Sequence, residues 1–275
     1  SQYDTVAGKW LTKRLKDGNF VDVLATTNIE IKRDTKDSLP KLIMADTQAS
    51  FKAEDMTVKY SSTLMPTTNV YATGTYKDDR LEIMGDRANI ADVKGSDIKV
   101  ILNKVSVAGD GDAHITLKAK GPLKTVFDYI SDEPILMGQK LGFDGTKAKG
   151  VAEFNLDLKF PLLKDLPKED VIVVVDGKVN DLLLPNIVKG MNLTGGPYDL
   201  SYKAGMINLK GNGQFNGYPI TLDYAENISD SSKDFDTKIT GKLKTDNTLR
   251  RKFGINLDDY VIGDLPVDFT YKSKN

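Results

Sequence analysis

The sequence predicts a mainly β protein built from mostly antiparallel strands with two or three short helices. Three observations carry this. Apolar and polar residues alternate with period two along most of the chain, turn-forming compositions separate the alternating runs, and helical periodicity is confined to short segments.

The clearest run is Val151 to Phe160. Ala152, Phe154, Leu156, Leu158 and Phe160 share one face, and Glu153, Asn155, Asp157 and Lys159 share the other. The same alternation marks Phe51 to Ala53 with Met56 to Tyr60, then Asp97 to Leu102, His114 to Ala119, Tyr198 to Tyr202, Ile220 to Tyr224 and Val267 to Tyr271. Val171 to Val175 reads as a buried strand. More than ten strands are expected.

Reversals are placed at Lys77-Asp78-Asp79, Gly109-Asp110-Gly111-Asp112, Gly195-Gly196-Pro197, Gly211-Asn212-Gly213 and Asn216-Gly217-Tyr218-Pro219, which supply left-handed positions and tight turns. Pro185 and the run Asp230 to Asp234 are expected as loops between sheet segments. Helices are expected at Val6 to Leu15, Pro122 to Ser131 and Asn247 to Phe253. In the second of these, Leu123, Val126, Phe127 and Ile130 fall on one face. Gly121-Pro122-Leu123-Lys124-Thr125 is echoed by Gly241-Lys242-Leu243-Lys244-Thr245, in each case followed by a helix and a strand. That spacing suits a stacked, repeating array.

So many strands with one apolar face need a cover, and two or three short helices are too few. Two closures stay open: a β-sandwich, or a curved sheet that leaves an apolar trough. Physics alone favours the closed sandwich, because exposed apolar patches above a few hundred Å² are rare unless they bind something.

Most catalytic chemistry is excluded. The chain has no cysteine and one histidine, which removes thiolate nucleophiles, disulfides, iron–sulfur ligation and multi-histidine metal sites. Lys+Arg 38 against Asp+Glu 39 gives a net charge of −1, so nucleic acid is not an expected partner. His114 lies on the polar side of its strand with no serine motif or ligand spacing beside it. Gly109 to Asp112 lacks the downstream glutamate of a calcium loop, and Gly211 to Gly217 leads into a strand where a phosphate-binding loop would open a helix. Glu153, Asp157, Asp176 and Asp223 could pair as glycosidase carboxylates, but most of them lie at alternating polar positions that face solvent. No catalytic residue, metal or cofactor is assigned. No apolar run approaches the roughly 18 to 20 residues of a membrane-spanning helix, so the chain as given is expected to be soluble. It opens Ser1-Gln2-Tyr3 without a methionine or signal sequence, which suggests a piece of a longer protein.

Several local patterns, taken in order, resemble one family. They are Trp10-Leu11 with Leu15, Gly18 and the strand Phe20-Val21-Asp22-Val23, Thr73-Gly74-Thr75 with Arg80-Leu81-Glu82-Ile83, and Gly121-Pro122-Leu123. Asp157-Leu158-Lys159-Phe160-Pro161-Leu162, followed by Val173 to Gly177, completes the set. Together they are similar to the long AsmA-like proteins of the YhdP and TamB kind. The resemblance implies an open half-pipe groove with an apolar inner wall, in a periplasmic protein anchored in the inner membrane through parts outside this chain. It also implies non-enzymatic movement of phospholipids between inner and outer membrane, with acyl chains as the partner. Residues 1–230 are then expected to form one groove segment and 231–275 the start of a further repeat. The expected lining is Val100, Leu102, Ile115, Leu117, Phe154, Leu156, Leu158, Phe160, Leu209, Ile220 and Leu222. The alternative is a closed β-sandwich serving as scaffold or adhesion module.

Overall fold

A computed structural model describes residues 14–32, 41–107, 109–141, 143–188, 190–229 and 234–274. Its first half holds β1 (Leu15–Lys16), β2 (Asn19–Lys32), β3 (Lys41–Val58), β4 (Thr67–Lys77), β5 (Arg80–Ile90), β6 (Val93–Asn103) and β7 (Asp112–Pro122). There follow α1 (Leu123–Ser131), two 3-10 turns at Gly138–Lys140 and Gly145–Lys147, and β8 (Lys149–Pro161). A third 3-10 turn at Lys168–Asp170 precedes β9 (Ile172–Val188), β10 (Met191–Lys203), β11 (Met206–Phe215), β12 (Tyr218–Asn227) and β13 (Thr237–Thr245). Last come α2 (Asn247–Lys252) and β14 (Leu265–Ser273).

All fourteen strands belong to a single open sheet. From β3 to β14 each strand is bonded to its neighbour in sequence, and β1 and β2 both pair with β3. The fold is therefore mainly β and antiparallel, and the strands do not divide into the two facing sheets of a sandwich.

Tight reversals enforce this meander. Asp78-Asp79, Ala204-Gly205 and Asn216-Gly217 all have positive φ, the geometry of a two-residue turn whose twist matches that of the strands it joins. Three expected breaks prove to be strand interior. Gly195-Gly196-Pro197 is a bulge inside β10, where the register to β11 shifts between Gly195 and Tyr198. Gly211 and Gly213 lie within β11, and their missing side chains make room for the Tyr198 ring of the neighbouring strand. Pro185 sits in β9 where the pairing with β10 slips between Met191 and Leu193, so its absent N–H interrupts no regular ladder.

A second device recurs inside the strands: aspartate or asparagine in the left-handed region, at Asp22, Asp55 and Asn69. Each coincides with a register shift, between Val21 and Leu24, Ala53 and Met56, and Thr68 and Tyr71. Asp55 explains why Phe51 to Ala53 and Met56 to Val58 do not share one alternating phase. These short polar side chains tolerate positive φ better than other non-glycine residues.

Of the expected helices, Pro122 to Ser131 forms as α1 with Pro122 in its cap position, and Asn247 to Phe253 forms as α2. The expected helix Val6 to Leu15 falls mostly outside the described residues, and Leu15 opens β1. The expected loop at Asp230 to Asp234 likewise lies outside them except for Asp234.

The chain divides into two compact units: Ser1–Lys118 with Leu156–Ile172, and Ala119–Asn155 with Val173–Asn275. On the apolar face of both, aromatic rings lie over glycines of the adjacent strand. Phe51 covers Gly74 in the first unit, and in the second Tyr198 covers Gly211 and Gly213 while Phe269 covers Gly241. In the second unit Tyr198 is fully buried, and its hydroxyl donates to the Thr194 carbonyl at 3.1 Å.

Two predictions follow from this packing. A Cβ at Gly74 would come within 2.2 Å of the Phe51 ring, so Gly74→Ala should cost about 1–3 kcal/mol in urea unfolding. Phe51→Ala should relieve part of that cost in the double variant. Burial also pushes the Tyr198 hydroxyl up to about 12, above its ordinary value of 10.0. Between these values the unfolded chain loses this proton while the folded one keeps it. Stability should therefore be intact below pH 10 and fall by about 1.4 kcal/mol per pH unit toward pH 12 from this group. Tyr198→Phe should flatten that slope.

Candidate functional site

Cross-strand partners share a face, so the registers assemble the apolar side of the first unit directly. Phe51 stands opposite Gly74, which stands opposite Ile83, which stands opposite Val100. Beside this row run Ala53, Ala72, Gly85 and Ile98, and on its other side Ala49, Tyr76, Leu81 and Leu102. His114 of β7 meets Asp157 of β8 at 3.0 Å, and Lys118 of β7 meets Asp97 of β6 at 2.9 Å. These pairs mark the polar side, and alternation then assigns Ala113, Ile115 and Leu117 with Leu156, Leu158 and Phe160 to the apolar side.

This side is only partly buried. Ala53, Ala72, Ile98 and Ala113 are buried, but Leu81, Ile83, Val100, Leu102, Ile115, Leu117, Leu156, Leu158 and Phe160 remain half-buried. Both described α-helices belong to the second unit. Phe20 stacks edge-on against Phe51 with centroids 5.3 Å apart and is still 46% exposed.

The second unit differs. Leu209, Ile220 and Leu222 are only 7%, 4% and 5% exposed, within a cluster that also contains Leu123 of α1 and Leu249 of α2. Phe127 meets Phe143 at 5.6 Å, Phe143 meets Tyr224 at 6.4 Å, and Phe253 stacks on Phe215 at 6.2 Å. Phe154 lies half-buried over Gly177 at the margin of the same cluster. Of the eleven lining residues expected from sequence, seven thus lie on the half-open side of the first unit, and Phe154 borders the core of the second. Leu209, Ile220 and Leu222 are enclosed core in this conformation. Short helices seal them, a role the sequence reading did not give those helices. Conversely, Phe51, Leu81 and Ile83 share the first unit's apolar side but were not assigned to the lining. Alternation in Arg80-Leu81-Glu82-Ile83 was the available signal.

The polar side carries cross-strand ion pairs: Lys120–Glu153 at 3.0 Å, Lys210–Asp223 at 2.9 Å and Lys242–Asp268 at 2.9 Å, all exposed. Such pairs contribute little stability individually. Glu153 and Asp223, considered above as possible catalytic carboxylates, are therefore each engaged by a lysine, and Asp157 lies against His114 with Lys159 at 3.9 Å. A cleft of about 560 Å³ in the first unit is bordered by Arg80, Asn103, Asp112, His114 and Lys159. Arg80 is itself tied to Glu82 at 2.8 Å and Asn103 at 3.0 Å. No cluster of three or more metal-ligating side chains occurs among the described residues. No described helix is long and apolar enough to cross a membrane.

A family model described as YhdP protein matches residues 6–275. The chain belongs to the YhdP family. This agrees with the resemblance read from the order of its short motifs. No curated protein and no solved structure matches the chain.

The contrast between the units predicts opposite responses to charge. Leu158→Lys should leave a folded protein, losing at most about 1 kcal/mol because its ammonium can reach water. Leu222→Lys should cost more than about 3 kcal/mol by burying an unpaired charge. Circular dichroism with thermal and urea denaturation separates the two.

Proposed function

We propose that this chain is a non-enzymatic segment of a phospholipid conduit, with acyl chains lying along the apolar side of the first unit. The observation that carries the reading is the half-open state of Ile115, Leu117, Leu156, Leu158 and Phe160, large apolar side chains on one side of a well-formed sheet. Membership in the YhdP family, a family of transport type, supports it. Each methylene moved from water onto such a surface gains about 0.8 kcal/mol, while a zwitterionic or anionic head group stays hydrated. Since neighbouring apolar side chains offer similar contacts, a tail can shift along them at small net cost.

In this reading the parent protein is periplasmic and anchored in the inner membrane through segments outside this chain. It moves phospholipid between the inner and outer membranes. The chain performs no bond chemistry. A packed scaffold module is the second reading, favoured by the closed core of the second unit.

Transfer of a fluorescent phospholipid between vesicles, together with native mass spectrometry for bound lipid, tests the proposal. The wild-type chain should carry lipid and accelerate transfer. Leu158→Lys should lose most of both while remaining folded. A protein that binds no lipid and leaves the vesicle exchange rate unchanged overturns the conduit and favours the scaffold.

A further inference from the structure

Four adjacent strands of the first unit have an end on one rim. β5 begins there at Arg80, β6 ends at Asn103, β7 begins at Asp112 and β8 ends at Pro161. The Leu162 N–H donates to the Gly111 carbonyl at 2.8 Å, which carries the β7–β8 ladder one step past the strands themselves. The cleft of about 560 Å³ lies at this rim, and Asp170 and Ile172 border it as well.

The charged groups at the rim hold one another in place. Arg80 donates through Nε to Glu82 at 2.8 Å and through a terminal nitrogen to the Asn103 side-chain oxygen at 3.0 Å. Asn103 in turn donates to Asp112 at 2.9 Å, so a row of hydrogen bonds crosses three strands. With the further bond from its second terminal nitrogen to Glu82, Arg80 still has two of its five N–H groups to offer, and its side chain is 43% exposed. Beside this row, Lys159 stands 3.9 Å from Asp157, a carboxylate that His114 already meets at 3.0 Å. The Lys159 ammonium is therefore only loosely held.

The cleft is mixed in sign. Arg80 and Lys159 supply cations, Asp112 and Asp170 supply carboxylates, and Ile101 and Ile172 are apolar. A simple anion would be drawn by the first pair and repelled by the second, and a simple cation the reverse. A ligand with both signs side by side satisfies each pair. Ala113 and Phe160 also border the cleft, and alternation assigns both to the apolar side of the sheet. The cleft thus meets the surface on which acyl chains are placed above.

We infer that this cleft takes a phosphate joined to a primary ammonium, the phosphoethanolamine group, presented at the rim by a lipid whose tails lie on the apolar side. The phosphodiester accepts from Arg80 and Lys159, and the ammonium donates to Asp112 and Asp170, in charge-assisted bonds. Arg80 loses little freedom on binding because Glu82 and Asn103 already orient it. Phosphocholine fits less well: its quaternary nitrogen has no N–H to donate, and Phe160 is the single aromatic ring in the described lining, too few for a cage. Phosphoglycerol leaves both carboxylates without a partner. The inference rests on the lipid-conduit reading and deepens it from phospholipids in general to one class of head group.

Two measurements test it. In an NMR titration with glycerophosphoethanolamine, the same group without tails, the amides of Asp112, Lys159 and Asp170 should shift at roughly millimolar ligand. The double variant Lys159→Ala/Asp170→Asn should weaken that response, and it should fold because both side chains are exposed. Absence of these shifts in the wild-type chain overturns the cleft, whatever the transfer rates. The second measurement is transfer between vesicles of phosphatidylethanolamine, phosphatidylcholine and phosphatidylglycerol carrying the same fluorescent acyl chain. Wild-type protein should move the first several-fold faster than the other two, and the double variant should move all three at similar rates.

Equal rates in the wild type, or a preference that survives in the double variant, overturn the head-group assignment while the conduit stands. Shifts without transfer of any lipid assign the cleft to a soluble phosphodiester, and overturn the head-group inference together with the conduit.

Discussion

An antiparallel sheet has two sides, and the apolar one must be covered, shared or used. Much of this protein's organisation follows from that requirement, because one sheet supplies all fourteen described strands and no second sheet occurs among the described residues. The second unit meets the requirement with two short helices and a ring of aromatics around Tyr224 and Phe215. In the first unit Ile115, Leu117, Leu156, Leu158 and Phe160 are left half-open. Apolar area retained in contact with water is costly for a folded protein unless something else occupies it. The proposed occupant is a hydrocarbon tail.

Local shape is controlled by residues that carry no chemistry of their own. Rings laid over Gly74, Gly211, Gly213 and Gly241 fill the space left by the missing side chains and keep the apolar side smooth. Aspartates and asparagines in the left-handed region introduce bulges at Asp22, Asp55 and Asn69, each adding local twist and a change of phase. The polar side is stabilised modestly by lysine–carboxylate pairs of balanced charge, which give the surface no strong field.

Strand identity was legible in the sequence because side-chain direction alternates regardless of what lies beyond the sheet. Val151 to Phe160 and Ile220 to Tyr224 formed as expected for that reason. Turns were legible where backbone chemistry is decisive, as at Asn216-Gly217 and Asp78-Asp79. Gly195 to Pro197, Gly211 to Gly213 and Pro185 misled, since the same residues that make reversals also make bulges and seats for neighbouring rings. Only the partner strand distinguishes these uses, and partner strands are not marked in local sequence.

The sequence by itself determined that the chain is a meander of amphipathic strands, which residues point to its apolar side, and that catalytic constellations based on cysteine or several histidines are impossible. Motif order also pointed to the family. Tertiary structure decided which parts of the apolar side are sealed. Leu158 and Leu222 are indistinguishable as alternating leucines, yet one is half-open and the other lies in a closed core with the helices. The reason is physical: alternation specifies the side of the sheet on which a residue lies, whereas burial depends on what the rest of the chain brings to that side.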